Sequence, residues 1–324
     1  MNNFKKIGMT ALAASLVSTS VFAGEMAVSG SASMGMSGHS GTALNEATAF
    51  TMGNQLTFSG SGELDNGMTV SLSFVIDQND DSNNAASSPF DNHSVTVSSD
   101  ALGTLAFHGE GGASAASALD TTAAGDMWDN FNSNGGVSVS DSGPGDNSIM
   151  YTLPSLVDGL SVSASYNPSK SATTPDNSTE LGYSATYTGV EGLSLSYGVT
   201  DLDRAGTATD GDQTAWKASY AYGPVTVAAS NSEYDVTGTA SDQEVSSYKI
   251  SYTVSDAISI GYGSETISTS TAGELDAEFD GFNASYTAGG MTISAAMQDG
   301  TEIGHTNAVA EDVEYWSLGL SFAF

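Results

Sequence analysis

The sequence predicts an all-β chain, a 16-stranded antiparallel β-barrel that crosses a membrane with strands. Three observations predict it. Apolar and small polar residues alternate with period two through most of the chain. Short turn-forming connections alternate with long polar ones. An export leader comes first, and no later stretch approaches the ~20 consecutive apolar residues of a membrane helix.

The leader is the first element. Lys5 and Lys6 form a positive end, an apolar run follows from Ile7 through Val17, and Val21-Phe22-Ala23 suits a signal peptidase. The expectation is a signal peptide over 1–23, cut after Ala23, and a single transmembrane barrel domain over 24–324. The chain has no cysteine, so neither a disulfide framework nor a thiolate metal site is available.

Charge sets limits on function. The chain carries 38 Asp and Glu against six Lys and Arg, for a formal net charge of −32. Cleavage would remove two of those six and leave Lys170, Arg204, Lys217 and Lys249 as the strong cations. Such a chain repels polyanions, which excludes nucleic acid as a partner. High acidity with few bases can also mean disorder, but the patterning argues for strands.

The alternation begins with Met26, Val28, Ala32, Met34 and Met36 against Ala27, Ser29, Ser31, Ser33 and Ser37. It recurs in Val70, Leu72, Phe74 against Thr69, Ser71, Ser73, and in Leu193, Leu195, Tyr197, Val199. Near the end come Tyr248, Ile250, Tyr252, Val254, then Met291, Ile293, Ala295, Met297. A strand places the two sets on opposite faces. Alternation alone also fits a soluble sandwich. The scale, the regularity and the aromatics near strand ends favour a membrane barrel.

Turn chemistry sets the count. Short connections fall at Glu63–Gly67, Ser99–Gly103, Pro154–Gly159, Gly189–Gly192, Gly223-Pro224, Ser255–Ala257 and Ala288–Gly290. Seven short turns make eight up-and-down pairs. The expected strands are 25–37, 50–62, 68–77, 92–99, 104–109, 147–153, 160–167, 180–188, 193–200, 214–222, 225–234, 244–254, 258–266, 278–287, 291–299 and 313–324. An even number lets an antiparallel barrel close. The longer connections are polar and acidic, including Asp77 through Asn84 and Asp201 through Asp212. The longest runs from Gly109 to Asp146, after the fifth strand, and a loop of that length needs a function.

Three features together resemble the trimeric general porins of Gram-negative outer membranes, particularly the alphaproteobacterial kind. The ending Tyr315-Trp316-Ser317-Leu318-Gly319-Leu320-Ser321-Phe322-Ala323-Phe324 is similar to the family's assembly signal, which implies that role for Phe322 and Phe324. The run from Asp146 through Leu156, followed by Gly159-Leu160-Ser161-Val162, resembles the strand after the family's constriction loop. The third feature is the length and strand-order position of the third long loop. The resemblance covers the whole mature chain; the ending is shared by many outer-membrane barrels, and the middle run is more specific.

The resemblance implies a third loop folded into the lumen, with acidic residues facing a basic wall. The acidic side would come from Glu110, Asp120, Asp126 and Asp129. The basic side departs from the family: Phe107-His108-Gly109-Glu110 lacks its arginine, and Met150 stands where arginine is common. The transverse field is therefore expected to be weak or uniformly negative. It further implies a homotrimer, insertion by the barrel-assembly machinery, and contact with outer-membrane lipid and lipopolysaccharide.

Strand parity nominates wall residues. His108 lies opposite in parity to Leu105 and Phe107, and Lys217 and Lys249 lie opposite to Trp216, Tyr248 and Ile250. These three are the expected pore-wall residues; a featureless wall position for His108 and simple charge balance for the lysines are the bland alternatives. Asp77, Asn79 and Asp81 have the spacing that opens a calcium loop. Ser82 and Ser88 replace the glycine and glutamate an EF-hand needs, so only a loosely held Ca2+ or Mg2+ is expected there, and no cofactor is required.

No catalytic constellation appears: there is no Gly-x-Ser-x-Gly or His-Glu-x-x-His, and histidines at 39, 93, 108 and 305 are scattered. The expected function is passive diffusion of small hydrophilic solutes and ions through a water-filled, cation-preferring outer-membrane channel, with no enzyme activity. The competing reading is a structural or adhesive surface β-protein with acidic, divalent-binding loops. An adhesin has no reason to place its longest loop after the fifth strand.

Overall fold

The computed structural model describes residues 26–324 apart from 42–47, 78–89, 110, 113, 135, 137–138, 140–146, 169–178, 204–209, 238–241 and 306–311. Sixteen strands follow in chain order: β1 (Met26–Gly41), β2 (Thr48–Glu63), β3 (Thr69–Asp77), β4 (Phe90–Ser99), β5 (Gly103–His108), β6 (Ile149–Thr152), β7 (Leu160–Asn167) and β8 (Thr179–Tyr187). The second half has β9 (Leu193–Asp203), β10 (Gly211–Tyr222), β11 (Val225–Val236), β12 (Gln243–Ser255), β13 (Ile258–Thr269), β14 (Ala277–Ala288), β15 (Met291–Thr301) and β16 (Val313–Ala323). Each strand pairs with its sequence neighbours, and β1 pairs antiparallel with β16 to close the barrel. Gly30 and Phe324 complete the seam by exchanging two backbone hydrogen bonds, at 2.7 and 3.0 Å. No helix among the described residues is long and apolar enough to cross a membrane, a statement that does not bear on strands.

Register carries the alternation around the sheet, because directly opposite residues share a face. Val97, Leu105, Tyr151, Ala164, Tyr183 and Val199 stand in one cross-strand row from β4 to β9. Tyr252, Ile260, Ala284, Ala295, Leu318 and Met36 do the same from β12 to β1. This apolar face exposes its side chains, Phe50 at 82% and Met297 at 71% among them. The opposite, hydroxyl face is built largely from Ser, Thr and Gly, with cross-strand pairs such as Thr152···Ser163 at 2.8 Å and Ser259···Ser285 at 2.7 Å.

All seven short turns lie where the sequence places them. Gly159 shows why one of them needs glycine: its φ is +73°, and a Cβ there would run into the backbone of Gly189. The strands differ from expectation at their far ends. Asp201, Asp203 and Asp212 belong to β9 and β10 rather than to a loop, since Val199, Asp201 and Asp203 keep one face while Thr200 and Leu202 keep the other. Asp212 stands directly opposite both Asp201 and Asp235, and Asp299 opposite both Asp280 and Glu314. These rows continue the apolar face beyond its aromatic residues, Tyr262 donating to Asp280 at 3.1 Å at that boundary. β6 is shorter than expected, ending before Leu153 and Pro154, where proline has no N–H for a ladder.

Candidate functional site: the segment between β5 and β6

The segment between β5 and β6 is built to follow the hydroxyl face. It contains two short 3-10 helices, Ser117–Leu119 and Met127–Asn134, joined by a turn at Gly125 (φ +98°) and Asp126 (φ +57°). Left-handed backbone suits glycine and is tolerated by aspartate. Thr122 closes this turn. Its Oγ1 accepts from the backbone N–H of Gly125 (3.0 Å) and Asp126 (2.9 Å), while its own N–H donates to Asp126 Oδ1 at 2.8 Å.

The segment is tied to successive strands in order. The Ala115 N–H donates to Ser165 Oγ of β7 at 2.8 Å, and Gln213 Nε2 of β10 donates to Asp120 Oδ1 at 3.2 Å. Next, the Ala123 N–H donates to Ser230 Oγ of β11 at 2.8 Å, and the Ala124 N–H to Ser247 Oγ of β12 at 2.9 Å. Glu265 of β13, fully buried, receives the Thr122 hydroxyl on one oxygen and the Trp128 N–H on the other at 3.1 Å. Further on, Asn130 Nδ2 donates to Gln298 Oε1 of β15 at 2.9 Å, and His39 Nε2 of β1 donates to the Asn130 carbonyl at 2.7 Å.

Close approach explains the small residues beneath this path. A Cβ on Gly198 would meet Leu119 Cδ1 at 2.6 Å, and one on Gly263 would meet Ala124 Cβ at 2.8 Å. The second 3-10 helix adds apolar packing to its hydrogen bonds. Met127 and Phe131 form a buried cluster with Val245, Ile267, Phe279, Ile303 and Val313, against which Tyr315 and Trp128 pack. The Phe131 ring lies 5.2 Å from that of Phe279.

The predicted site residues fall as follows. Asp120 and Asp126 lie in the tethered turn region, and Asp129 is exposed, its Oδ1 accepting from Asn132 Nδ2 at 2.9 Å. Glu110 lies outside the described residues, as do Asn79 and Asp81, while Asp77 ends β3 opposite Gln55. Among the described residues, no group of three or more His, Cys, Asp or Glu could hold a metal ion. His108 is on the hydroxyl face opposite Ser94, with its N–H on the Ser148 carbonyl at 2.9 Å. Lys217 and Lys249 are on the same face, but their ammonium groups donate to the carbonyls of Thr121 (2.9 Å) and Ala124 (3.4 Å). Phe322 stands between Ala32 and Met291, and Phe324 sits at the seam.

The sequence profile of the Gram-negative porins matches residues 8–324. The chain belongs to the Gram-negative porin family. Its solved structural neighbours agree: a porin refined at 1.8 Å resolution is 21% identical, with a TM-score of 0.68 over 93% of this chain and 100% of that one. A loop L8 deletion mutant of OmpT, an outer-membrane protein of Vibrio cholerae, gives 13% identity and a TM-score of 0.69 over the same shares. A multiple mutant of Rh. blastica porin gives 17% and 0.63, again over 93% and 100%. At these identities the likeness concerns the fold. No curated protein matches the sequence.

Sequence reasoning missed Thr122, Ser230, Ser247, Glu265, His39 and Phe131. Only Glu265 carried a signal, a lone carboxylate with hydroxyl-face parity in a strand of otherwise small or apolar residues.

Proposed function

We propose that this outer-membrane porin passes small hydrophilic solutes and ions by diffusion, with the apolar face toward lipid and the hydroxyl face around a water-filled lumen. The segment between β5 and β6 lies inside that lumen and narrows it. One observation carries this reading: the segment is bonded, strand after strand, to a single face of a closed barrel, from Ser165 on β7 to His39 on β1. A chain bonded to that many strands of one face crosses the interior. The OmpT of Vibrio cholerae has been solved in a trimer form, which supports a homotrimer here. Phe322 and Phe324 serve as the assembly signal, and the chain has no catalytic role.

The channel prefers cations. Asp126 and Asp129 stand at the constriction, while Lys217 and Lys249 direct their ammonium groups at segment carbonyls. A low-dielectric wall focuses such charge into the bore. The test is the reversal potential of the reconstituted protein under a salt gradient, before and after Asp126→Asn with Asp129→Asn. The expected wild-type potential is of cation-selective sign and shrinks in the double variant. An anion-selective sign overturns the preference, and an unchanged potential in the variant moves the filter elsewhere.

A further inference from the structure

Turn residues are ordinarily small or polar, because glycine, asparagine and aspartate supply the backbone angles. The last three short turns obey this, with Gly223-Pro224, Ser255-Asp256-Ala257 and Ala288-Gly289-Gly290. The first four do not. Leu64, Leu102, Leu156 with Val157, and Val190 all stand exposed in them, from 44% at Leu64 to 76% at Leu156. Tyr222 and Val254, beside the later turns, differ in kind: they are the last outward positions of β10 and β12. The backbone does not ask for the extra side chains. Val157-Asp158-Gly159-Leu160 and Val190-Glu191-Gly192-Leu193 repeat one turn, each closed by the leucine N–H on the valine carbonyl at 3.0 Å. Any residue offers that carbonyl, and the valine side chain is left in the open.

The four turns make one rim. A Cβ on Gly103 would meet the backbone of Thr152 and Pro154, which seats the second turn against the third, as Gly159 seats the third against the fourth. The rim is continuous with the outward face of the sheet. Leu64 keeps the parity of Leu56 and Phe58, and the Leu153 N–H extends the β6–β7 ladder to the Val162 carbonyl at 3.0 Å. Each turn also holds one exposed carboxylate, Asp65, Asp100, Asp158 or Glu191, and no Lys or Arg.

We infer that this rim, under β2 to β9, is seated in the phospholipid leaflet on the turn side, with its leucines and valines among the acyl chains and its carboxylates at ammonium headgroups. The inference rests on the outward face meeting lipid and adds a second contact, along one arc only. Apolar side chains scattered singly over a surface need no explanation. Here they occupy four adjacent turns and are absent from the other three, which makes an apolar edge continuous with a lipid-facing wall. The carboxylates at Asp65, Asp158 and Glu191, one residue beyond Leu64, Val157 and Val190, lie where an ethanolamine headgroup offers its ammonium group. The same carboxylates oppose a second copy of a chain whose net charge is −32.

The chain has no cysteine, so one introduced cysteine carries a nitroxide at a single position. Leu156→Cys, Val190→Cys, Asp256→Cys and Leu195→Cys are compared as folded barrels in phosphatidylethanolamine–phosphatidylcholine vesicles. Oxygen, which concentrates among acyl chains, and a water-soluble nickel chelate are the two relaxing agents. The nitroxides at positions 156 and 190 are expected to favour oxygen, as that at 195 does, while the one at 256 favours nickel. Nickel relaxation at 156 and 190 as strong as at 256 overturns the lipid seat. Shelter from both agents overturns it too, since a protein surface then covers the turns. If the nitroxide at 195 favours nickel, the lipid-facing reading of the whole outward face fails, and the seat with it.

Discussion

The two arcs of the wall differ in what stands against them. Over β7 to β16 the hydroxyl face meets protein, and it supplies glycine where the segment comes closest, single hydroxyls where a backbone N–H needs an acceptor, and an apolar cluster under Phe131. Over β2 to β6 it carries mostly Ser and Thr, and β5 and β6 shrink to six and four residues against 11 to 13 in β9 through β16. The same period-two pattern therefore encodes two surfaces. A buried wall must satisfy a neighbour's backbone atom by atom, whereas a wetted wall needs only to be polar.

Three substitutions test this contrast, from the largest effect to the smallest. Phe131→Ala removes a fully buried ring from the cluster and should cost about 3–5 kcal/mol of packing. The cost falls on the segment's seat, so single-channel records should show larger and noisier conductance; an unaltered record would mean the cluster does not hold the segment. Leu195→Arg puts a cation on the apolar face, for about 2–4 kcal/mol if it lies near the bilayer midplane. Ser71→Arg, on the hydroxyl face of β3, should leave urea stability nearly unchanged. Equal damage from both would invert the two faces. Glu265→Gln keeps the shape but turns one acceptor oxygen into an amide donor against Thr122 or Trp128, a loss of about 1–3 kcal/mol. Its expected outcome is added open-channel noise in a barrel of normal heat-modifiability, and a quiet channel would show that the remaining tethers suffice.

Much of this was legible in the sequence, for a physical reason. Alternation and turn residues are local, so strand count, face assignment and the parity of His108, Lys217 and Lys249 follow from neighbours a few positions apart. The tethers are not local. Thr122 and Glu265 are 143 residues apart, and nothing in either neighbourhood names the other. Lys217 and Lys249 had the right face, yet the partners of their ammonium groups are backbone carbonyls, which no side-chain pattern reports. The misplaced stretch, Asp201 through Asp203, was acidic like a loop. In fact the ladder persists past the aromatic residues, with Asp201 and Asp203 exposed on one face and Thr200 and Leu202 buried on the other.

The span of these tethers also orders events in time. The segment is made right after β5, but partners of Phe131 arrive as late as Tyr315, on the last strand. Contacts so distant in sequence form slowly, because the intervening loop must close first. A chain still missing its last strands has the partners of Ala115 and Ala123 but lacks Gln298 for the Asn130 amide and Val313 and Tyr315 for the Phe131 ring. The far end of the segment is thus the last part of it to gain its partners.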